Sequence, residues 1–434
     1  MTGQTRPAVR WTVVGIAVAG ALAVLGLIAL WPRGDAPDLG AQPTNFVDAS
    51  VTRIDDGSCQ EIELDATGAC QIVSARLTSG PDEGQEITFR VLGTQFDVPT
   101  LHDGDGVVLL DLGAAAAPEF RYTFRDLQRA TPLLWLLAAF VVVVVAFGRW
   151  LGVRALAGLV ASGFVLVAFV VPALLRDEPA VLVALAGTVV IAFVALYLAH
   201  GVTTATSVAL AGTLVSLAVT TGLAFLGAAG AHLTGLADQN AQTLRVTAAA
   251  LDLRGLLIAG IVVGALGVLD DVTVSQVSTV RALRRANPSL ATTQLYREAI
   301  RVGRDHVAST VNTLVLAYAG ASLPLLLFFA QGSEPVGRVV TKEIIAVEIV
   351  RMLVGSIGLV LSVPITTGLA VLVLSPEDTI DDGHHHHHDD VPPLGPAART
   401  AIRRPAGPPL LDPEAPAPGR DPAWDDFTPR GSPW

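Results

Sequence analysis

Charged residues are scarce in this sequence: Asp, Glu, Lys and Arg together account for only 15% of it. Soluble domains usually carry about 25% charged residues. The deficit is concentrated in long apolar blocks, hydrophobic residues reach 51%, and the mean hydropathy is +0.55. This distribution excludes an ordinary soluble globule and predicts an integral membrane protein, whose first partner is the lipid bilayer.

Basic residues and cysteines are also few. The 28 Lys and Arg stand against 39 Asp and Glu, giving a net charge of -11, so we expect no nucleic-acid partner. The only two cysteines, Cys59 and Cys70, cannot supply the four ligands of a structural zinc site. They lie in a segment expected outside the cytoplasm, where a disulfide is the favoured interpretation and two reduced thiols are the alternative.

Sequence signatures of common enzymes are missing. The sequence contains neither a glycine-rich P-loop followed by Lys-Ser/Thr nor a His-Glu-x-x-His motif. It also offers no Ser or Cys nucleophile with a recognisable base. We therefore predict that the protein is not an enzyme and that it uses no cofactor.

Eight apolar blocks approach the roughly 20 apolar residues that a helix needs to cross a bilayer. The first runs from Trp11 to Trp31, with a Trp at each end as interfacial anchors often have, and no small-residue cleavage site precedes Trp31. The others lie at residues 132–147, 151–175, 179–199, 203–229, 254–277, 307–330 and 345–374. The predicted fold is an α-helical polytopic membrane protein with about eight transmembrane helices.

The distribution of arginines predicts the orientation. With eight spans, all the arginine-rich short segments fall on one side, and the positive-inside rule places that side in the cytoplasm. These segments contain Arg6 and Arg10, Arg149 and Arg154, and the cluster Arg281, Arg284, Arg285, Arg297, Arg301 and Arg304. We therefore expect a bacterial plasma-membrane protein with cytoplasmic N- and C-termini and with residues 32–131 outside the cytoplasm.

Between the first two helices, residues 45–125 predict a small all-β domain, an OB-like or SH3-like barrel. Segments rich in strand-forming residues begin at Phe46, Gln71, Glu86 and Gly106, separated by Gly and Asp clusters. One cluster, residues 102–106, has the sequence His-Asp-Gly-Asp-Gly. It is compatible with a calcium loop, but a tight turn is the favoured interpretation, because calcium loops need more oxygen ligands at fixed offsets.

The remaining segments complete the predicted organisation. Residues 1–31 form a cytoplasmic stub with the first anchor helix, residues 131–150 the second helix, residues 151–374 a six-helix domain, and residues 375–434 a disordered cytoplasmic tail rich in Pro, Gly and Ala. The tail contains the histidine run His384, His385, His386, His387 and His388. Zinc or nickel binding and simple low complexity are the two interpretations of this run.

Polar side chains inside the membrane are costly and therefore indicate function. Six of them, on the predicted sixth and seventh helices, form a predicted inner polar site: Asp270, Asp271, Ser275, Ser309, Asn312 and Thr313. Carboxylates, an amide and hydroxyls suit a proton or cation; the alternative is a polar lock between helices. Three glycines that precede Asp270 predict a close helix approach: Gly260, Gly264 and Gly267.

A second polar pair lies on the predicted eighth helix. Glu348 and Arg351 are three residues apart, so they can pair on one helix face. Because this helix is expected to enter from the outer side, the pair is a candidate outer gate. Simple stabilisation of packing is the alternative.

Three long stretches carry a resemblance to a known family. Residues 264–276, 303–324 and 348–364 resemble the YibE/F family of bacterial multi-pass membrane proteins. The resemblance covers roughly residues 130–374, and the outer β segment resembles the region that precedes it in long members. It implies membrane topology and leaves the activity open.

Weak internal similarity suggests an inverted repeat of three plus three helices, residues 151–229 and 254–374. Gly212 and then Thr220-Thr-Gly-Leu-Ala close the first half, while Gly355 and then Thr366-Thr-Gly-Leu-Ala close the second. Inverted repeats are common in secondary transporters. The leading functional hypothesis is therefore a secondary permease for a small ion or solute. The alternative is a non-transporting scaffold whose outer β domain binds an envelope protein.

Overall fold

The computed structural model describes residues 7–34, 45–55, 70–92, 101–113, 116–117, 120–237, 239–248, 251–332 and 334–374. The chain divides into two units, and the second, Asp382–Trp434, lies wholly outside these ranges. The predictions for the tail, including its histidine run, therefore stay predictions. All the described residues belong to the first unit, Met1–Asp381.

Five antiparallel strands form one sheet in the segment that follows the first helix. They are β1 (Asn45–Asp55), β2 (Cys70–Leu77), β3 (Glu86–Leu92), β4 (Gly106–Asp111) and β5 (Tyr122–Leu127), in the order β3-β2-β1-β4-β5. The four segments predicted as strands all lie in strands. The fifth strand ends at Leu127, beyond the predicted domain boundary at residue 125.

The sheet is curled around one apolar face. Alternate residues Val47, Ala49 and Val51 of β1 are almost fully buried. Irregularities in the ladders of β1 with β2 and of β4 with β5 increase the local bend of the strands. As a result the two edge strands meet, and Phe89 of β3 stacks on Phe124 of β5 with ring centroids 6.4 Å apart.

Helices make up the rest of the described chain. They are α1 (Pro7–Ala29), α2 (Ala130–Val165) continued by a π-helical turn (Leu166–Val170) and α3 (Val171–Leu175), α4 (Ala180–His200), α5 (Thr204–Gly230), α6 (Gln239–Thr247), α7 (Leu253–Ala286), α8 (Thr292–Ala321), α9 (Leu323–Ala330), α10 (Val336–Val340) and α11 (Glu343–Val373). In the described ranges six helices are long and apolar enough to cross a membrane, or seven if α8 and α9, bent by 61°, count as one span.

One of these six contains two of the predicted blocks. The run from Ala130 to Leu175 has 46 residues, about 70 Å of helix, which is more than twice the roughly 30 Å hydrocarbon thickness. It breaks at Arg149, whose φ of 49° and ψ of -128° are not helical. Beyond the break, Gly152 approaches the carbonyl oxygen of Val144 so closely that no side chain fits there. The chain therefore turns sharply between two apolar arms.

The centre of the helical body is α7, which packs against α4, α5, α8 and α11. Its buried Ile258, Ile261 and Leu269 share one apolar cluster with Leu217 of α5 and Val354 of α11. α5 and α11 also pack directly on each other. This three-helix centre sets the positions of the polar side chains that α5, α7 and α11 carry.

Candidate functional site

Asp270 lies on the face of α7 that is turned into the helical body. It shares this face with Leu266 and Val274, each four residues away, and both belong to an apolar cluster with Leu210 of α5. The side chain is partly buried, and its Oδ1 accepts no hydrogen bond from any residue in the described part of the chain. A carboxyl oxygen is thus held inside the body without a donor among the described residues.

Two buried hydroxyls join α5 to α7 next to Asp270. The Oγ1 atoms of Thr213 and Thr273 are 2.7 Å apart, and both residues are fully buried. The Thr273 hydroxyl also donates to the backbone carbonyl of Asp270 at 3.0 Å. The contact between α5 and α7 is therefore polar just after Asp270 along α7, although apolar residues surround it.

Asp271 points in another direction. It is exposed on the outward face of α7, which also carries the three glycines predicted to allow close packing. Among the described residues, no atom lies within 4 Å of a side-chain position at Gly260 or Gly267, and at Gly264 only the Tyr318 hydroxyl does, at 3.8 Å. The prediction of close helix approach at these glycines was wrong, because this face is turned away from α4, α5 and α11.

The polar residues of α8 also face outward. Val307 and Val311 pack towards α7 and α11, whereas Ser309, Asn312 and Thr313 are exposed. Successive residues of a helix are rotated by about 100° about its axis. Asn312 therefore points well away from the face formed by Val307 and Val311, and Ser309 and Thr313 lie on the side opposite to that face. The Thr313 hydroxyl donates to the carbonyl of Ser309, its own helix, at 3.0 Å.

The six residues of the predicted inner site therefore do not converge within one chain. Asp270 faces the body, and Asp271 and the α8 residues face outward. Ser275 is partly buried, with its hydroxyl donating to the carbonyl of Val272 at 3.0 Å. Sequence spacing predicts the depth of a side chain on a helix, but which face is buried depends on neighbouring helices.

Glu348 and Arg351 form an ion pair on α11, with 2.7 Å between Oε1 and Nη1. Each side chain remains about one-third exposed, at 30% and 31%. The contact expected from the three-residue spacing is present. Its role as a gate stays a prediction.

A tight crossing of α5 and α11 is the feature that sequence reasoning largely missed. Gly212 lies against Thr366, and Gly358 lies against Thr220, with no room for a Cβ at either glycine. Because residue numbers rise along one helix as they fall along the other, the helices are antiparallel. The internal similarity paired Gly212 with Gly355, whereas the structural counterpart is Gly358.

The contacts reveal a repeated motif, Gly-x-x-x-Ser-x-x-x-Thr-Thr-Gly-Leu-Ala, at residues 212–224 and 358–370. The serines at its centre, Ser216 and Ser362, are fully buried. The hydroxyl of Thr366 has no conventional hydrogen-bond partner among the described residues and rests against Gly212. Such contacts resemble the weak Cα–H···O bonds of close helix pairs.

Residues 136–376 match the model of the family described as YibE/F-like protein. The match covers more than half of the chain. The chain belongs to the YibE/F-like family. No curated protein and no solved structure matches it. The YibE/F-like region begins inside the first arm of α2 and ends just after α11, so it contains the α5/α11 crossing and leaves out α1 and the β sheet.

Outside the YibE/F-like region, the sheet carries a charged cluster. The Asp82 carboxylate accepts hydrogen bonds from Arg121 Nη2 at 2.5 Å and from the Tyr122 hydroxyl at 2.7 Å. Arg121 also donates from Nε to Asp111 at 3.2 Å. The Tyr122 hydroxyl and the Arg121 charge lower the pKa of Asp82, although partial desolvation opposes them. Burial and the bond to Asp82 raise the pKa of Tyr122 to about 12.

The other predictions for the sheet concern its turns and cysteines. Residues 102–105 form a turn in which the His102 N–H donates to the Asp105 carboxylate at 2.8 Å, and Gly104 has a φ of 93°. Within the described ranges no three His, Cys, Asp or Glu side chains gather as a metal site. Cys59 and the side chain of Cys70 lie outside the described residues, so the disulfide stays a prediction.

Proposed function

We propose that this YibE/F-like protein is a secondary permease of the bacterial plasma membrane that moves a small cation or a solute coupled to protons. The observation that carries the proposal is Asp270, an ionisable side chain turned into a body of apolar helices. Ionisable residues within membrane helices commonly mark ion pathways and proton relays. The family match supports a membrane protein and is neutral about transport.

The chemistry of Asp270 explains why it suits a transient ligand. A carboxyl oxygen without a donor is costly in an apolar environment, and a proton or a cation offsets that cost. The Thr213–Thr273 pair supplies neutral hydroxyls on the same side of α7. This inventory of oxygen atoms favours a proton or a hard cation over an anion.

The proposed topology has eight crossings, with both arms of the Ala130–Leu175 run inserted and Arg149 on the cytoplasmic side. The termini are cytoplasmic, and the β sheet lies outside. The contact between the edge strands through Phe89 and Phe124 supports the proposal that the outer domain is an OB-like or SH3-like barrel.

The test compares two neighbouring acids that differ in the face they occupy. Full-length protein is reconstituted into liposomes that contain a pH-sensitive dye, and gradients of Na⁺, K⁺ or Ca²⁺ are imposed. Asp270→Asn should reduce the coupled proton movement at least tenfold. Asp271→Asn, the matched control on the outward face, should leave it within about twofold. After subtraction of the protein-free background, proton movement in Asp270→Asn equal to that of wild type would sink the proposal.

One observation favours the alternative function, an interaction protein. Phe46, Leu112 and Phe120 are each at least half exposed on the outer sheet. All three lie at the end where Asn45 pairs with Asp111, whereas the chain leaves for α2 from the other end, at Leu127. An apolar trio remote from the start of α2 suits an envelope protein better than lipid. A photo-crosslinking residue at Phe120 should then trap one discrete partner in cells, and its absence would contradict this alternative.

A further inference from the structure

Glu343 is the first residue of α11, and its carboxylate contacts the loop between α5 and α6. Its Oε1 accepts hydrogen bonds from the backbone N–H groups of Thr234, at 2.6 Å, and Gly235, at 2.9 Å. The Thr234 hydroxyl lies 2.8 Å from Oε1 and 2.9 Å from Oε2. Three donors from two adjacent residues thus converge on one carboxylate, as in a backbone anion-binding nest.

The nest is held in shape by contacts that do not involve Glu343. Leu233 is only 3% exposed and belongs to the apolar cluster that contains Leu257 of α7 and Val347 of α11. Gly235 has a φ of 83°, and the backbone of Leu253 occupies the place where a side chain would be. Because Leu253 and Leu257 belong to α7, these two contacts do not depend on Glu343, and we expect the donors to stay aimed at the same point when it leaves.

We propose that the Thr234–Gly235 nest is a carboxylate-binding site and that Glu343 is its tethered, releasable occupant. The charge-assisted hydrogen bonds explain why a carboxylate is preferred over a neutral group. All three donors are uncharged, so the attraction is moderate and the occupant can leave. Glu343 in the nest fastens the start of α11 to the end of α5, and a small external carboxylate that replaces it frees that end of α11.

This site does not rest on the proposed permease function, and its test measures stability and not transport. Thermal unfolding of the detergent-solubilised full chain is followed for wild type and Glu343→Ala. The variant should unfold several degrees lower. Added acetate should raise its Tm along a saturating curve, because a ligand that binds the folded state stabilises it by mass action. Acetate should shift the Tm of wild type far less, since there it has to displace the tethered Glu343, which already fills the nest.

Two controls separate this site from general salt effects. Acetamide, the neutral analogue of acetate, should not rescue Glu343→Ala. Glu334→Ala, which breaks the 2.8 Å ion pair with Lys342 in the same outer region, should not respond to acetate. Glu343→Gln keeps an acceptor in the nest, so its Tm should lie between those of wild type and Glu343→Ala, and acetate should raise it less. If Glu343→Ala does not fold, Glu343→Gln is compared with wild type instead. Equal effects of acetate on wild type and variants, or none on any, would overturn the proposal.

Discussion

Ser216 of α5 and Ser362 of α11 occupy the same position in two copies of one motif, and both are fully buried where the helices cross. The glycine of each copy lies against the first threonine of the other copy. Two copies of one motif that cross antiparallel have local two-fold symmetry. This relationship supports the proposed inverted repeat of residues 151–229 and 254–374, in which the axis passes between the two serines.

The crossing predicts which glycines are essential. Gly212→Ala and Gly358→Ala each place a methyl group against a buried threonine, so each should destabilise the protein by about 1–3 kcal/mol through overpacking. The measurement is thermal unfolding of the purified full chain. Because the two contacts are equivalent by symmetry, the two variants should lose similar amounts.

The same motif provides matched controls. Gly222 and Gly368 stand at equivalent positions of the two copies, and no atom of the described residues lies within 4 Å of a side-chain position at either. Alanine has a higher helix propensity than glycine, by roughly 1 kcal/mol in water. Gly222→Ala and Gly368→Ala should therefore be neutral or slightly stabilising. A loss of stability equal to that at Gly212 would show that close packing is not the cause.

A second prediction concerns the hydroxyl pair beside Asp270. Thr213→Val and Thr273→Val keep the shape of the side chain and remove one side of the 2.7 Å contact, so each should cost about 1 kcal/mol. In the double variant both hydroxyls are gone, and the cost should be less than the sum of the single ones. Strictly additive losses in the unfolding measurement would mean that the two hydroxyls do not interact.

The positions of helices and strands can be predicted from this sequence more fully than the breaks within them. The apolar blocks and the first four strands depend on composition and alternation, which are local, so their positions are predictable. Whether Ala130–Leu175 is one helix or two arms depends on one residue, Arg149, and its backbone turn. Amino-acid composition does not predict the φ of 49° at Arg149, although the separation of the two apolar blocks predicts a break between them.

The candidate site was less predictable, for a physical reason. Apolar side chains surround an α-helix in a membrane on all faces, so hydrophobic periodicity does not identify the buried face. Asp270 and Asp271 are neighbours in sequence, yet one faces the body and the other faces outward. The Gly-Ser-Thr-Thr motif did give a signal, because its repetition reflects a contact. Only the structure shows that the two copies touch.

The β sheet contains a tyrosine that should ionise later than the others. Tyr122 has a pKa raised to about 12 by burial and by its bond to Asp82. A tyrosine whose pKa is higher in the folded state stabilises the fold fully below its unfolded value of about 10, and this stabilisation is lost as pH rises towards 12. Tyrosinate absorbance of the full chain should show one group ionising last. Tyr122→Phe should remove that last step; its persistence would contradict the assignment.

Asp82, which accepts the hydrogen bond from Tyr122, should make stability depend on pH in the opposite direction, at low pH. The pKa of Asp82 is lowered, so its contribution to stability is present above its ordinary pKa and is lost as pH falls through the lowered one. Asp82→Asn should therefore make limited proteolysis of the sheet faster at neutral pH, where wild type has the ion pair. At pH values below the ordinary range of an aspartate the difference between the two should shrink. A difference that does not change with pH would argue against a role for the charge.

The last prediction tests whether the Ala130–Leu175 run crosses the membrane twice, with a turn at Arg149, or only once. If both arms of the Ala130–Leu175 run are inserted, Arg149 lies inside the cell and Asp177, in the turn before α4, lies outside. In intact cells a membrane-impermeant thiol reagent should label Asp177→Cys, and it should label Arg149→Cys only after the membrane is permeabilised. The parent protein, with Cys59 and Cys70 alone, gives the background. Labelling of Arg149→Cys from outside together with protection of Asp177→Cys would mean that the first arm does not cross, and the arginine-based orientation of every later helix would then need to be reversed.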